Sequence, residues 1–166
     1  MSQTIAVSSA PPYHGLSALP ENARGLTAIV AGANGISGQS LLRVLLSRPD
    51  VWTKIYALSR SSAPPNTPAA DSRVTHVSID LLSGKEAVAE KVKQAGIPKV
   101  EGDVYAFYMA YKEHSQKGLW SGQQEMWDDN GAMFETFLAA LPSDSVKRIV
   151  LQTGAKNYGR LHPERV

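Results

Sequence analysis

The sequence predicts a doubly wound α/β fold, a parallel sheet covered on both faces with strand order 3-2-1-4-5. Three observations carry it. Short apolar runs at residues 26–31, 54–60, 74–80, 103–110 and 148–153 read as strands. Segments of helical periodicity, not hairpin turns, fill most of the intervals between them. The first run passes at once into a glycine turn and a helix, which is how such sheets open.

Residues 1–25 are rich in Ser, Ala and Pro without a period and read as an N-terminal arm, leaving 26–166 as the domain. "LTAIVA" is the first strand. In "GQSLLRVLLSRPDVW" the side chains of Leu41, Leu42, Leu45 and Leu46 share one helical face, and Pro49 limits the helix. "SSAPPNTPAADS" is too rich in proline for a long helix and reads as an irregular crossover. Ser83 and Glu86 form an S-x-x-E capping box before "AVAEKVKQAG", a helix closed by Gly96 and Pro98. Met126, Met133, Phe134, Phe137, Leu138 and Leu141 mark a third amphipathic helix. Asn130 interrupts its apolar face, and an amide there needs partners, most simply a bridge to a neighbouring loop or strand.

At 166 residues the chain suits one domain, which on folding buries about 68 to 70% of its unfolded surface. Lys+Arg 17 against Asp+Glu 15, without a run of like charge, argues against nucleic acid as a partner. There is no cysteine, and His14, His76, His114 and His162 lack metal-ligand spacing, so no metal is expected. No run approaches a membrane span, and the polar start lacks a signal-peptide layout. A soluble cytoplasmic protein is the expectation.

"AGANGISG" sets Gly32, Gly35 and Gly38 in G-x-x-G-x-x-G order, with Asn34 and Ile36 between them, after a strand and opening a helix. That is the Rossmann-type layout for a dinucleotide: a tight turn, close backbone approach to a pyrophosphate, and phosphate charge at a helix N-terminus. An NAD site would end the second strand in a carboxylate. Here the strand ends in Ser59, Arg60, Ser61 and Ser62, and an arginine pairs with a 2′-phosphate. NADP(H) is therefore the expected cofactor; the other reading of Arg60 is a solvated surface side chain. Asp80 and Leu81 follow the third strand. Asp80 either accepts from the adenine amino group or opens the turn before Ser83. Met109 and Ala110, at the end of the fourth strand, are expected to line the cofactor.

With these residues and "LQTGAKNYG" in view, the chain resembles the progesterone 5β-reductase and iridoid synthase-like branch of the short-chain dehydrogenase/reductases, in a fungal form, from about His14 to Gly159. T-G-x-K-x-Y after the fifth strand is that branch's hallmark. The resemblance implies that Lys156 is the catalytic lysine, holding the nicotinamide ribose, and that Gln152, Thr153 and Gly154 border the nicotinamide. Tyr158 matches the motif's own tyrosine, not the catalytic one. It further implies hydride delivery from NADPH to an enone or carbonyl of a small hydrophobic metabolite, as in secondary metabolism. Two departures stand out. Ser61 occupies the place of the family's second arginine, which weakens the expected hold on the 2′-phosphate. The family's catalytic tyrosine comes some tens of residues after the motif, whereas this chain stops at Val166; impaired catalysis and a missing C-terminal part of the fold are expected on that ground.

Tyr108 and Lys112 match the Y-x-x-x-K of other short-chain dehydrogenases, but at a strand end four residues span roughly 13 Å, so the match is taken as coincidence. The alternatives are a nucleotide-binding pseudoenzyme working through an uncovered fifth-strand edge, with a second copy or a partner chain, and a non-redox cyclase or isomerase with a pocket of Tyr105, Tyr108, Tyr111, Trp120 and Trp127.

Overall fold

The computed structural model describes residue 7 and residues 19–63, 71–113 and 123–153. Five parallel strands, β1 (Leu26–Ala31), β2 (Trp52–Ser59), β3 (Val74–Ser78), β4 (Val104–Tyr108) and β5 (Val146–Leu151), form one sheet in the order β3-β2-β1-β4-β5. The predicted order is the observed one. Every residue of β1 is buried, as expected for the central strand of a sheet covered on both faces.

Period-two alternation sorts the strands' side chains into two cores. Ala28, Val30, Ile55, Ala57 and Tyr105 meet Leu42 and Leu45 of α1 (Ile36–Leu46). Ile29, Tyr56, Leu58, Ala106 and Tyr108 meet Val88 and Val92 of α2 (Lys85–Gln94) and Met133 and Phe137 of α3 (Gln123–Ala139). Phe137 is fully buried against the Tyr108 ring, centroids 5.3 Å apart. Phe137→Ala is expected to cost about 3–5 kcal/mol in urea unfolding.

Three local expectations are corrected. The capping box before α2 does not form: Gly84 is the N-cap, and the Ser83 hydroxyl donates instead to the Asp80 carbonyl at 2.7 Å. Leu138 is 38% exposed and lies off the α3 apolar face. β2 begins at Trp52, two residues before the predicted run, because Trp52 packs edge-on against Tyr105. As the expected strand order implies, β5 is the sheet's edge, and Ile149, Val150 and Leu151 are exposed there.

β3 is anchored by an arginine. Arg73 donates to the carbonyls of Leu46 (2.9 Å) and Trp52 (3.2 Å) and forms a fork on Asp71. Its hydrogen bonds hold the Asp71 carboxyl below its ordinary pKa. One side chain thus ties the start of β3 to the end of α1 and the start of β2.

Candidate functional site

Beyond the carboxyl ends of β1, β2 and β4 lies a cavity of about 430 Å³. Gly32, Asn34 and Gly35 of the glycine turn, Ser59 and Arg60 at the end of β2, Asp80 and Leu81 after β3, and Met109 and Ala110 after β4 all line it. These are nine of the sequence-predicted positions, brought to one place by the topology. Ile36 and Gly38 do not line it: Ile36 is 91% exposed, and Gly38 lies under the turn.

Gly32 has φ +79°, and a β-carbon there would come within 2.6 Å of the Ala110 nitrogen. Only glycine lets the turn pass this close to the end of β4. Gly38 serves packing, since its β-carbon would meet the Gly32 carbonyl oxygen and Ala33. Gly35, the N-cap of α1, brings no capping side chain, and the first turn holds no carboxylate. The positive end of the helix is therefore left unneutralised at the cavity wall, a setting that favours an anion.

The end of β2 is held by a network. Asn34 Nδ2 donates to the Ser61 carbonyl (3.2 Å), the Ser61 hydroxyl (3.1 Å) and the Ser62 carbonyl (3.0 Å). The Ser78 hydroxyl donates to the Arg60 carbonyl at 2.9 Å, and the Ser59 hydroxyl to the Ser61 carbonyl at 2.7 Å. Asn34, expected at the cofactor, spends its amide nitrogen clamping this loop. The Arg60 side chain stands exposed at the rim. Asp80 Oδ1 accepts from the Leu82 N–H at 3.0 Å, the turn-forming role anticipated for it, while its position in the cavity wall leaves the other oxygen open to a ligand.

Burial lowers the pKa of half-buried His76 below its ordinary 6.5. The unfolded chain then binds the proton more tightly than the folded one, so this contribution to stability is complete above about pH 6.5 and declines as pH falls toward the folded value. Urea midpoints at pH 7.5 and 5.5 are expected to differ less in His76→Gln than in the wild type.

At the end of β4 the Y-x-x-x-K pair is separated. Tyr108 is buried against Phe134 and Phe137, and burial pushes its phenol up to about 12. Lys112 Nζ contacts Asp129 at 2.7 Å. Asn130 Oδ1 accepts from the Lys112 N–H at 2.8 Å, and its Nδ2 donates to the carbonyls of Lys112 (2.9 Å) and Met126 (2.7 Å). The amide that interrupts the α3 face is thus a bridge to the neighbouring loop. Gln152 donates its N–H to the Tyr108 carbonyl; it and Thr153 are exposed and do not line the cavity. Gly154, Lys156 and Tyr158 lie outside the described residues.

Among the described residues an aromatic substrate pocket is not assembled. Tyr105 and Tyr108 alternate along β4 into opposite cores, Trp127 is 62% exposed, and of the described members of the proposed set only Tyr111 lines the cavity; Trp120 lies outside the described residues. Sequence reasoning did not assign Leu58, Ile79, Leu82, Lys112 and Met133 to the cavity, and it weighed Ser61 only as a departure from the family. Ser61 and Ile79 each adjoined a predicted position, while Met133 lay on the recognised face of α3.

No family model matches the chain. Among solved structures it is similar to a short-chain dehydrogenase/reductase from Saccharomyces cerevisiae, with a TM-score of 0.59 and 17% identity over 79% of this chain and 54% of that one. It is likewise similar to one from Burkholderia vietnamiensis, TM-score 0.59 and 20% identity over 83% and 68%.

The fold is that of the short-chain dehydrogenase/reductases.

Carveol dehydrogenase from Mycobacterium avium, solved in complex with NAD, shares this fold with a TM-score of 0.57 and 18% identity over 84% of this chain and 58% of that one. In sequence the chain is 33% identical to an uncharacterized protein of Schizosaccharomyces pombe over 81% of its length, and 31% identical to Short chain dehydrogenase gsfE of Penicillium aethiopicum over 84%. It spans about a third of the length of these curated relatives, 31% and 35% respectively. In a short-chain dehydrogenase/reductase fold, the cavity sits where open parallel sheets take their ligands, beyond the strands' carboxyl ends.

Proposed function

We propose that this chain is the NADP(H)-binding part of a short-chain dehydrogenase/reductase of the progesterone 5β-reductase and iridoid synthase-like branch, acting on an enone or carbonyl of a small hydrophobic metabolite in secondary metabolism. The observation that carries this reading is the convergence on one cavity of the glycine turn, the uncapped N-terminus of α1 and Arg60, with no carboxylate ending β2. The close approach at Gly32 and the unneutralised helix end fit a pyrophosphate, and the guanidinium of Arg60 fits a 2′-phosphate. When bound, NADPH supplies hydride.

In this reading the N–H groups at the start of α1 hold the pyrophosphate, Arg60 and Ser61 hold the 2′-phosphate, and the free oxygen of Asp80 accepts from the adenine amino group. Met109 and Ala110 form the wall toward the nicotinamide. By the resemblance, Lys156 holds the nicotinamide ribose. Calorimetric titration of the chain with NADPH and, separately, NADH tests the assignment. Tighter binding of NADPH is the expected result; equal or tighter binding of NADH overturns the NADP(H) assignment, and a folded chain that binds neither overturns the nucleotide site.

A second reading, a nucleotide-binding module that works through a second copy or a partner chain, is favoured by the exposed β5 edge with Ile149, Val150 and Leu151. Light scattering of the wild type and of Val150→Lys distinguishes it: an oligomer lost in the variant supports pairing at this edge, and a monomer in both removes self-association.

A further inference from the structure

His76 lies outside the cavity wall and belongs to no recognised motif, yet it is built into the end of β2. In the β2/β3 pairing His76 stands opposite Ala57 and Ser78 opposite Ser59, so His76 and Ser59 are diagonal neighbours on one face of the sheet. The His76 Nε2 atom is 2.8 Å from the Ser59 hydroxyl oxygen. A hydroxyl has a single proton, and Ser59 spends it on the Ser61 carbonyl at 2.7 Å. The ring must therefore be the donor, with its hydrogen on Nε2. The chain of bonds runs from imidazole N–H to serine oxygen and from serine O–H to the Ser61 carbonyl.

That carbonyl is one of three in succession whose acceptors are occupied from the protein side. Arg60 is taken by Ser78, Ser61 by Ser59 and Asn34, and Ser62 by Asn34. With its carbonyls engaged, the loop meets a ligand through donors, above all the Arg60 guanidinium. Donors suit a phosphate; an unengaged carbonyl would repel it and would suit the hydroxyl of a plain ribose.

We infer that His76 is a positioning residue that sets the preference for a 2′-phosphate over a 2′-hydroxyl, by fixing Ser59 as the donor that turns the Ser61 carbonyl away from the cavity. The inference rests on the NADP(H) reading above and names the residue that enforces it. It assigns His76 no contact with the nucleotide. Its effect is carried by the direction of one serine proton.

The test is calorimetric titration of the full chain with NADPH and NADH in the wild type, His76→Ala and His76→Gln, with thermal melts to establish that each variant is folded. His76→Ala is expected to weaken NADPH binding about three- to ten-fold, the range of one lost hydrogen bond, while NADH binding stays the same or tightens. His76→Gln, whose amide nitrogen donates in place of Nε2, is expected to restore the preference to within about twofold. A general loosening of structure would weaken both nucleotides and would not be rescued in this selective way. Ring ¹⁵N shifts of His76 in the wild type should report the hydrogen on Nε2 at neutral pH. A wild type that prefers NADPH together with an unchanged preference in His76→Ala overturns this inference alone, as does a ring carrying its hydrogen on Nδ1. A wild type without preference for NADPH overturns both this inference and the reading beneath it.

Discussion

Gly32→Ala is expected to abolish nucleotide binding and to cost about 2–5 kcal/mol of stability, about 1–2 from a side chain at positive φ and about 1–3 from overpacking. The added carbon would sit 2.6 Å from the Ala110 nitrogen and 2.7 Å from the Met109 carbonyl carbon, both backbone atoms that no rotamer change can move aside. Domains of this size are stable by about 5–15 kcal/mol, so the variant loses a large share of its total. Gly35→Ala is the control: its φ is −73°, and its β-carbon would meet only the Gly32 carbonyl oxygen at 3.3 Å. Urea unfolding should separate the two by at least about 1 kcal/mol. Equal stability would show that the turn yields where its geometry says it cannot.

Arg60→Ala is expected to weaken NADPH binding about tenfold to a hundredfold, since hydrogen bonds to a charged group contribute about 1.5–3 kcal/mol. NADH binding should be unchanged. Because Arg60 is exposed at the rim, the difference between the wild type and the variant should shrink in high salt. Arg60→Lys should fall between them, keeping the charge but losing the planar fork that engages two phosphate oxygens. An Arg60→Ala chain that retains full NADPH affinity would return the arginine to the solvated surface.

The features legible in the sequence were those written in local pattern. β1 came out with both boundaries because a short apolar run abuts a glycine, and the strand order followed from the alternation of strands and helices. Asn130 could be read as a bridge because a polar residue on an apolar face must find partners within reach. Features set by register between distant segments were not legible. The His76–Ser59 contact depends on Ala57 standing opposite His76, and nothing near either residue announces that. The capping box failed because the helix starts one residue later than the pattern implies, with Gly84 as N-cap, so Ser83 and Glu86 are out of register with the cap positions. The fifth strand's apolar composition alone would suggest burial, and its edge position was legible only through the strand order.

Arg73 gives the β2–β3 connection an unusual freedom. A crossover normally fixes the placement of the strand it delivers, so a change in its length shifts what lies at the strand's far end. Here a guanidinium bolted to the ends of two other elements sets where β3 starts, and His76 and Asp80 are positioned by counting forward from that bolt. Changes of chain length ahead of Asp71 are therefore expected to leave His76 and Asp80, and with them that side of the cavity, where they stand.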